Sequence, residues 1–313
     1  FLPKSTTKNA KRADINKLVA IKKTNFQNMY QYFNLSKVLI IVFVFILAQV
    51  LGSALAVVCI EVLPSLSKYP DAGFEILRGC PNLLIIIWFF YDFHKKGYSL
   101  TDEFKAMRVQ IELKDFFSIL LFNIFIGLFS VYAIIFAVVN FLPADQLDSM
   151  SKSNGITGET TLTGSIIGGV VAVFLAPLAE EFIFRGFLFT KFQIKFSVWI
   201  SMIISSLLFG AIHFSISSIT TFLFGLSLCI VFYKTKNLAI PILLHVLNNA
   251  IVSIISIYSK MFVSSSSKDI SLHEISKQFY EIALPCLVVS LALAYFLIKK
   301  RHFLELDKPF IVK

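Results

Sequence analysis

Read for polarity alone, the chain alternates between long apolar runs and short polar or charged breaks. Eight runs stand out, at approximately 37–63, 76–93, 115–141, 163–189, 197–214, 216–233, 238–258 and 279–298. Most hold 18 to 28 residues, and about 20 suffice for an α-helix to cross the hydrocarbon core of a bilayer. The pattern predicts an all-α, polytopic membrane protein with about eight transmembrane helices. The second run is interrupted by Arg78, Gly79 and Pro81, which leaves NLLIIIWFFYDF as its clean core. A short or partly re-entrant segment fits there as well as a full span. The first 35 residues are basic and polar and the first apolar run is long enough to span, so no cleavable signal peptide is expected.

Composition strengthens this picture. Hydrophobic residues make up 57% of the 313 and charged residues only 15%, with a mean hydropathy of +0.78, against about 25% charged in soluble proteins. The organisation that follows is a basic cytoplasmic arm (1–35), an eight-helix membrane domain (36–298) and a cytoplasmic tail (299–313). Lysines and arginines crowd the arm, the loop with Lys95, Lys96, Lys105 and Arg108, the loops with Lys191 and Lys195 and with Lys234 and Lys236, and the tail. Every second loop is therefore basic, while DQLDSMSKSNGITGET is net acidic. Positive loops stay inside, so both termini are expected in the cytoplasm. The net charge of +10 is explained by topology and attraction to anionic lipid, without nucleic acid as a partner. Cys59, Cys80, Cys229 and Cys286 are scattered singly, which suits small apolar packing residues better than a disulfide or a cysteine metal site.

Against this apolar background the chemistry is concentrated. The stretch LAEEFIFRGFLF places Glu180, Glu181 and Arg185 inside a run that should be lipid-soluble, and intramembrane charges are rare without a partner or a task. Glu181 and Arg185 are four apart, on one helix face, and can pair; Glu180 has no local partner. His213 in LLFGAIHF and His245 with Asn249 in LLHVLNNA add polar groups from two further runs. Two imidazoles and a carboxylate are donors that Zn²⁺ takes, a catalytic zinc leaving one position open for water. Metal-assisted hydrolysis, with a carboxylate accepting the water's proton, is the matching chemistry. Asn123 and Asn140 suit interhelical hydrogen bonding, and His94, His273 and His302 fall in loops or tails.

EEFIFR fits EExxxR, Phe209 to His213 fits FxxxH and His245 to Asn249 fits HxxxN. In that order on successive helices they resemble the three motifs of the CAAX protease and bacteriocin-processing (CPBP, or Abi) intramembrane metalloproteases, over roughly residues 160–260. The resemblance implies an intramembrane catalytic cavity in which Glu180 activates water, Glu181 and Arg185 support the site, and His213 and His245 act as metal or catalytic ligands. Asn249 would orient or stabilise the oxyanion. Zinc on His213, His245 and Glu180 is the implied cofactor, and a metal-free glutamate and histidine site stays open. The implied substrates are prenylated CAAX-type tails, or small peptides such as bacteriocins and peptide signals, with a linked self-immunity role. The lysine-, asparagine- and isoleucine-rich composition leans towards the second class in a bacterial plasma membrane.

Two other readings keep the same residues. One is a non-hydrolytic immunity or scaffold protein; the other is a proton relay through Glu180, His213 and His245 in a secondary transporter, which should show internal symmetry that the sequence lacks. Helix counting also raises a conflict. His213 lies about 24 Å along its run from Ser197, whereas Glu180 and His245 fall nearer the cytoplasmic half. Tilt, a late start to the fifth span, or a break at Pro177 would be needed to bring them together.

Overall fold

The computed structural model describes residues 35–62, 70–95, 97–143, 161–213, 218–262 and 276–305. The basic arm and most of the acidic loop fall outside that set, as do His273 and the SSSSKD tract. Seven helices are long and apolar enough to cross a membrane: α1 (Leu39–Val62 of a helix beginning at Leu35), α2 (Pro70–Lys95), α4 (Leu113–Phe141), α5 (Leu162–Lys195), α7 (Ser218–Thr235), α8 (Ala239–Tyr258, continuing to Phe262) and α9 (Phe279–Lys300). The eighth apolar run forms α6 (Val198–Ala211), only 14 residues, or about 21 Å. It falls short of the roughly 30 Å core. The expected eight spans thus become seven and one short helix, in an all-α integral membrane fold with no strand among the described residues.

The doubtful second run is a full 26-residue helix that continues through Pro81. Gly52 of α1 makes room for that proline, because a Cβ there would lie 3.1 Å from Pro81 Cγ. The polar stretch after α2 turns at Gly97, whose φ of 69° suits a residue without a Cβ, and then forms α3 (Leu100–Gln110), N-capped by Ser99. This helix covers the start of α8. Asn237 donates from Nδ2 to the Glu103 carbonyl at 2.8 Å, the Glu103 carboxylate accepts from Leu238 N–H at 3.2 Å, and Asn237 Oδ1 accepts from Ala239 N–H at 2.9 Å. Glu103 and residues 237 to 240 are fully buried, so α8 begins beneath a polar lid.

A second polar clasp closes the end of α9. Arg301, 4% exposed, pairs with Glu112 at 2.9 Å and with the buried Asp115, both at the start of α4. Burial works to lower the Arg301 pKa, but its hydrogen bonds to Asp115 and Glu112 outweigh this and raise it. Lys234 Nζ donates to the carbonyls of His302 and Glu305. The beginning of the expected tail is therefore packed into the fold.

The core is largely phenylalanine. Phe89, Phe93, Phe182 and Phe187 meet edge-on or tilted at centroid distances of 5.0 to 5.6 Å, where aromatic quadrupoles attract. This cluster fixes α2 against the motif-bearing half of α5.

Candidate active site

Helix α5 is not uniformly α-helical. Its path is α over Leu162–Val170, π over Val171–Leu175, α over Ala176–Glu181, π over Phe182–Phe189 and α over Thr190–Lys195. Such wide turns are rare and concentrate at functional sites. The break expected at Pro177 does not occur. The chain runs helically through it, with Pro177 in the first turn after the first π segment.

The depth conflict disappears once the real helix ends are used. Glu180 is fifteen residues before Lys195, where α5 ends, and His213 is fifteen residues after Val198, where α6 begins. Both therefore stand fifteen residues from the α5–α6 turn, on segments that run back from it. The expected end at residue 189 left out the last six residues of α5. His245 is six residues into α8, whose start is buried beneath α3.

The three motifs meet in one cavity of about 1000 Å³, whose walls include Glu180, Phe209, His213, His245, Asn248 and Asn249. Glu181 and Arg185 are 0% exposed and form the expected i,i+4 pair, Arg185 Nη1 donating to Glu181 Oε1 at 2.8 Å. Arg185 also donates from Nη2 to the Gly225 carbonyl at 3.1 Å and lies 4.4 Å over the Phe209 ring. Glu181 Oε1 receives a second bond, from His245 Nδ1 at 2.9 Å. A carboxylate only accepts, so His245 carries a proton on Nδ1; in the neutral imidazole this leaves Nε2 as the acceptor, facing Glu180 Oε2 3.8 Å away.

His213 is arranged in the same sense. Its Nδ1 donates to the Phe209 carbonyl at 2.8 Å, leaving Nε2 as the available acceptor. The edges of Phe209 and Phe224 hold the His245 ring at 5.8 and 5.0 Å. Asn249 donates from Nδ2 to the Ala172 carbonyl at 2.8 Å, tying α8 to the π segment of α5. Asn248, though about 100° round the helix, also reaches the cavity wall.

The donor types suit zinc, and an engaged Nδ1 is what zinc-bound imidazoles show. Among the described residues, however, no three His, Cys, Asp or Glu side chains stand close enough to hold a metal ion. As placed, His213, His245 and Glu180 do not form a ligand set.

Other cavity groups escaped the sequence reading. Gln49 of α1 donates to Asn82 of α2 at 2.7 Å, and both line the cavity with Arg78 and Asn123. Polar residues inside apolar runs were the signal for Gln49 and Asn82, as they were for the histidines. Nothing in the sequence marked the Gly225 carbonyl, and Pro177 marks that of Ala172 only once the π register is known.

Comparison with known proteins converges on the same segment. The family described as "Type II CAAX prenyl endopeptidase Rce1-like" matches residues 162–251, which span α5, α6, α7 and half of α8. An "Uncharacterized 24.3 kDa protein" of Escherichia coli is 36% identical over 77 residues, 23% of this chain and 36% of its own. The "Putative membrane peptidase YdiL" of Bacillus subtilis (strain 168) is 27% identical over 89 residues, 28% of this chain and 36% of its own. The chain thus spans about a third of the length of these curated relatives. No solved structure matches it.

Proposed function

We propose that the protein is an intramembrane endopeptidase that hydrolyses a peptide bond with water activated by Glu180. The observation that carries the reading is the gap between the Glu180 carboxylate and His245 Nε2. At 3.8 Å it is too long for a direct hydrogen bond and suits a bridging water. Glu180 accepts one proton of that water and His245 Nε2 the hydrogen bond of the other. The hydroxide oxygen adds to the scissile carbonyl, the C–N bond breaks, and Glu180 returns its proton to the leaving amine. His213 Nε2 offers an alternative acceptor for that second proton, and the Asn249 amide a donor for the developing oxyanion. Glu181 and Arg185 act through His245 by fixing its tautomer and orientation.

The substrate is a membrane-associated peptide segment, either a small hydrophobic peptide such as a bacteriocin or peptide signal, or a prenylated CAAX-type tail. Apolar walls, including Phe45, Ile46, Val50 and Val131, suit either. The setting is a bacterial plasma membrane with both termini in the cytoplasm. Zinc is a second proposal for the same donors: it would require them to draw together from their present positions, so no step is routed through it.

The test compares cellular and secreted peptides from cells carrying the native protein and Glu180→Gln at equal membrane abundance. A peptide cut only by the native protein supports the reading and names the substrate. An unchanged peptide pool with preserved biological effect would replace it with the non-hydrolytic immunity or scaffold reading. Cleavage of that peptide by purified protein is expected to survive a chelator; loss restored by Zn²⁺ would establish the metal site.

A further inference from the structure

The π segment before Pro177 and the hydrogen bond of Asn249 have a common cause. In the π register the Ala176 N–H reaches back five residues to the Val171 carbonyl. The next bond of that register would run from residue 177 to the Ala172 carbonyl. Proline has no N–H, and the α-type donor for Ala172, the Ala176 N–H, is engaged with Val171. The Ala172 carbonyl, on a half-buried residue of the cavity wall, is therefore left without a donor from its own helix and open to one from elsewhere. Asn249 Nδ2 supplies it at 2.8 Å.

We infer that Pro177 is a positioning residue of the proposed active site, which by withholding an N–H reserves the Ala172 carbonyl for Asn249 and so fixes that amide at the cavity wall one turn above His245. The bond holds one N–H of Nδ2 and leaves the other, with Oδ1, to the cavity and to Asn248 Nδ2 at 3.4 Å. A proline three residues before a reacting glutamate thereby sets the orientation of a side chain on another helix. For its catalytic consequence the inference rests on the protease reading.

Pro177→Ala restores an N–H that competes for the Ala172 carbonyl. Because alanine favours a helix interior and proline opposes it, a purely structural proline would give a variant of equal or higher melting temperature and unchanged kcat. The inference predicts that melting temperature while kcat falls about 10-fold or more at nearly constant KM, since small misplacements of a reacting group are costly. Asn249→Ala should lose about 100-fold, as oxyanion donors do. The double variant should be no slower than Asn249→Ala alone, because both changes remove one device.

A second measurement needs no activity. In detergent-solubilised protein labelled with ¹⁵N-asparagine, the Asn249 side-chain amide is the resonance absent from Asn249→Ala. It should shift and exchange faster with solvent in Pro177→Ala. An unmoved resonance would overturn the inference whatever hydrolysis does. A moved resonance with unchanged kcat would keep the hydrogen-bond device and overturn its catalytic role. If Glu180→Gln also leaves hydrolysis intact, the protease reading fails separately.

Discussion

At the scale of residues, the pair Glu181 and Arg185 has the most to lose. Both are fully buried, and the arginine serves a carboxylate, a backbone carbonyl and an aromatic face together. Removing one partner of a buried pair leaves an uncompensated charge at about 3–5 kcal/mol. Arg185→Ala should therefore lower the melting temperature and membrane abundance steeply. Arg185→Lys should not rescue it, because an ammonium lacks the planar fork that meets three partners at once. Wild-type stability in Arg185→Lys, by thermal unfolding in detergent, would mean that charge alone suffices. The pair was legible in the sequence because i,i+4 spacing is a local rule. The contacts of Gly225 and Ala172 were not, since a backbone carbonyl's vacancy depends on the register of its helix: Pro177 points to Val173 in an α register and to Ala172 only in the π register found here.

At the scale of elements, helix α5 owes its place to close backbone approach. A Cβ on Gly164 would stand 2.6 Å from Asp71 Cβ on α2, whereas one on Gly169 would meet nothing nearer than 3.6 Å, at Ile257 and Ser253 of α8. Asp71 is held in turn, its carboxylate accepting from the Thr161 N–H, so it cannot easily retreat. Gly164→Ala should destabilise by about 1–3 kcal/mol, the usual cost of overpacking, while Gly169→Ala should be neutral or gain slightly from helix propensity. Equal melting temperatures for the two variants would mean that α2 and α5 slide apart freely. Periodicity located nearly every helix but misjudged one boundary and missed one helix. The end of α5 hid in TKFQIK, whose charges read as loop although they continue the helix. Helix α3 hid in a charged segment whose capping signal, Ser99 with Asp102 three residues on, was the available clue. The first of them, the end of α5, produced the apparent mismatch in depth between Glu180 and His213.

At the scale of the whole molecule, the short α6 raises the question of how far its hairpin with α7 penetrates. The two helices measure about 21 and 27 Å from their 14 and 18 residues. Both begin or end near basic residues, Lys195 before α6 and Lys234 at the end of α7. The hairpin returns to the side it left whether or not its tip emerges, so the parity of the other helices and the side of the termini are unaffected. Since the core is about 30 Å thick, the tip should lie submerged, close to the far interface. A submerged tip would keep His213 at membrane depth and leave the cavity as the route by which water reaches it. In protein whose native cysteines are replaced by alanine, a cysteine at Ile219, 60% exposed on the protein surface, should resist a membrane-impermeant thiol reagent added outside intact cells. A cysteine at Ser151 in the acidic loop should react. Rapid labelling at position 219 would put the hairpin tip in external water, and Glu180 and His213 would then share a cavity open to that side.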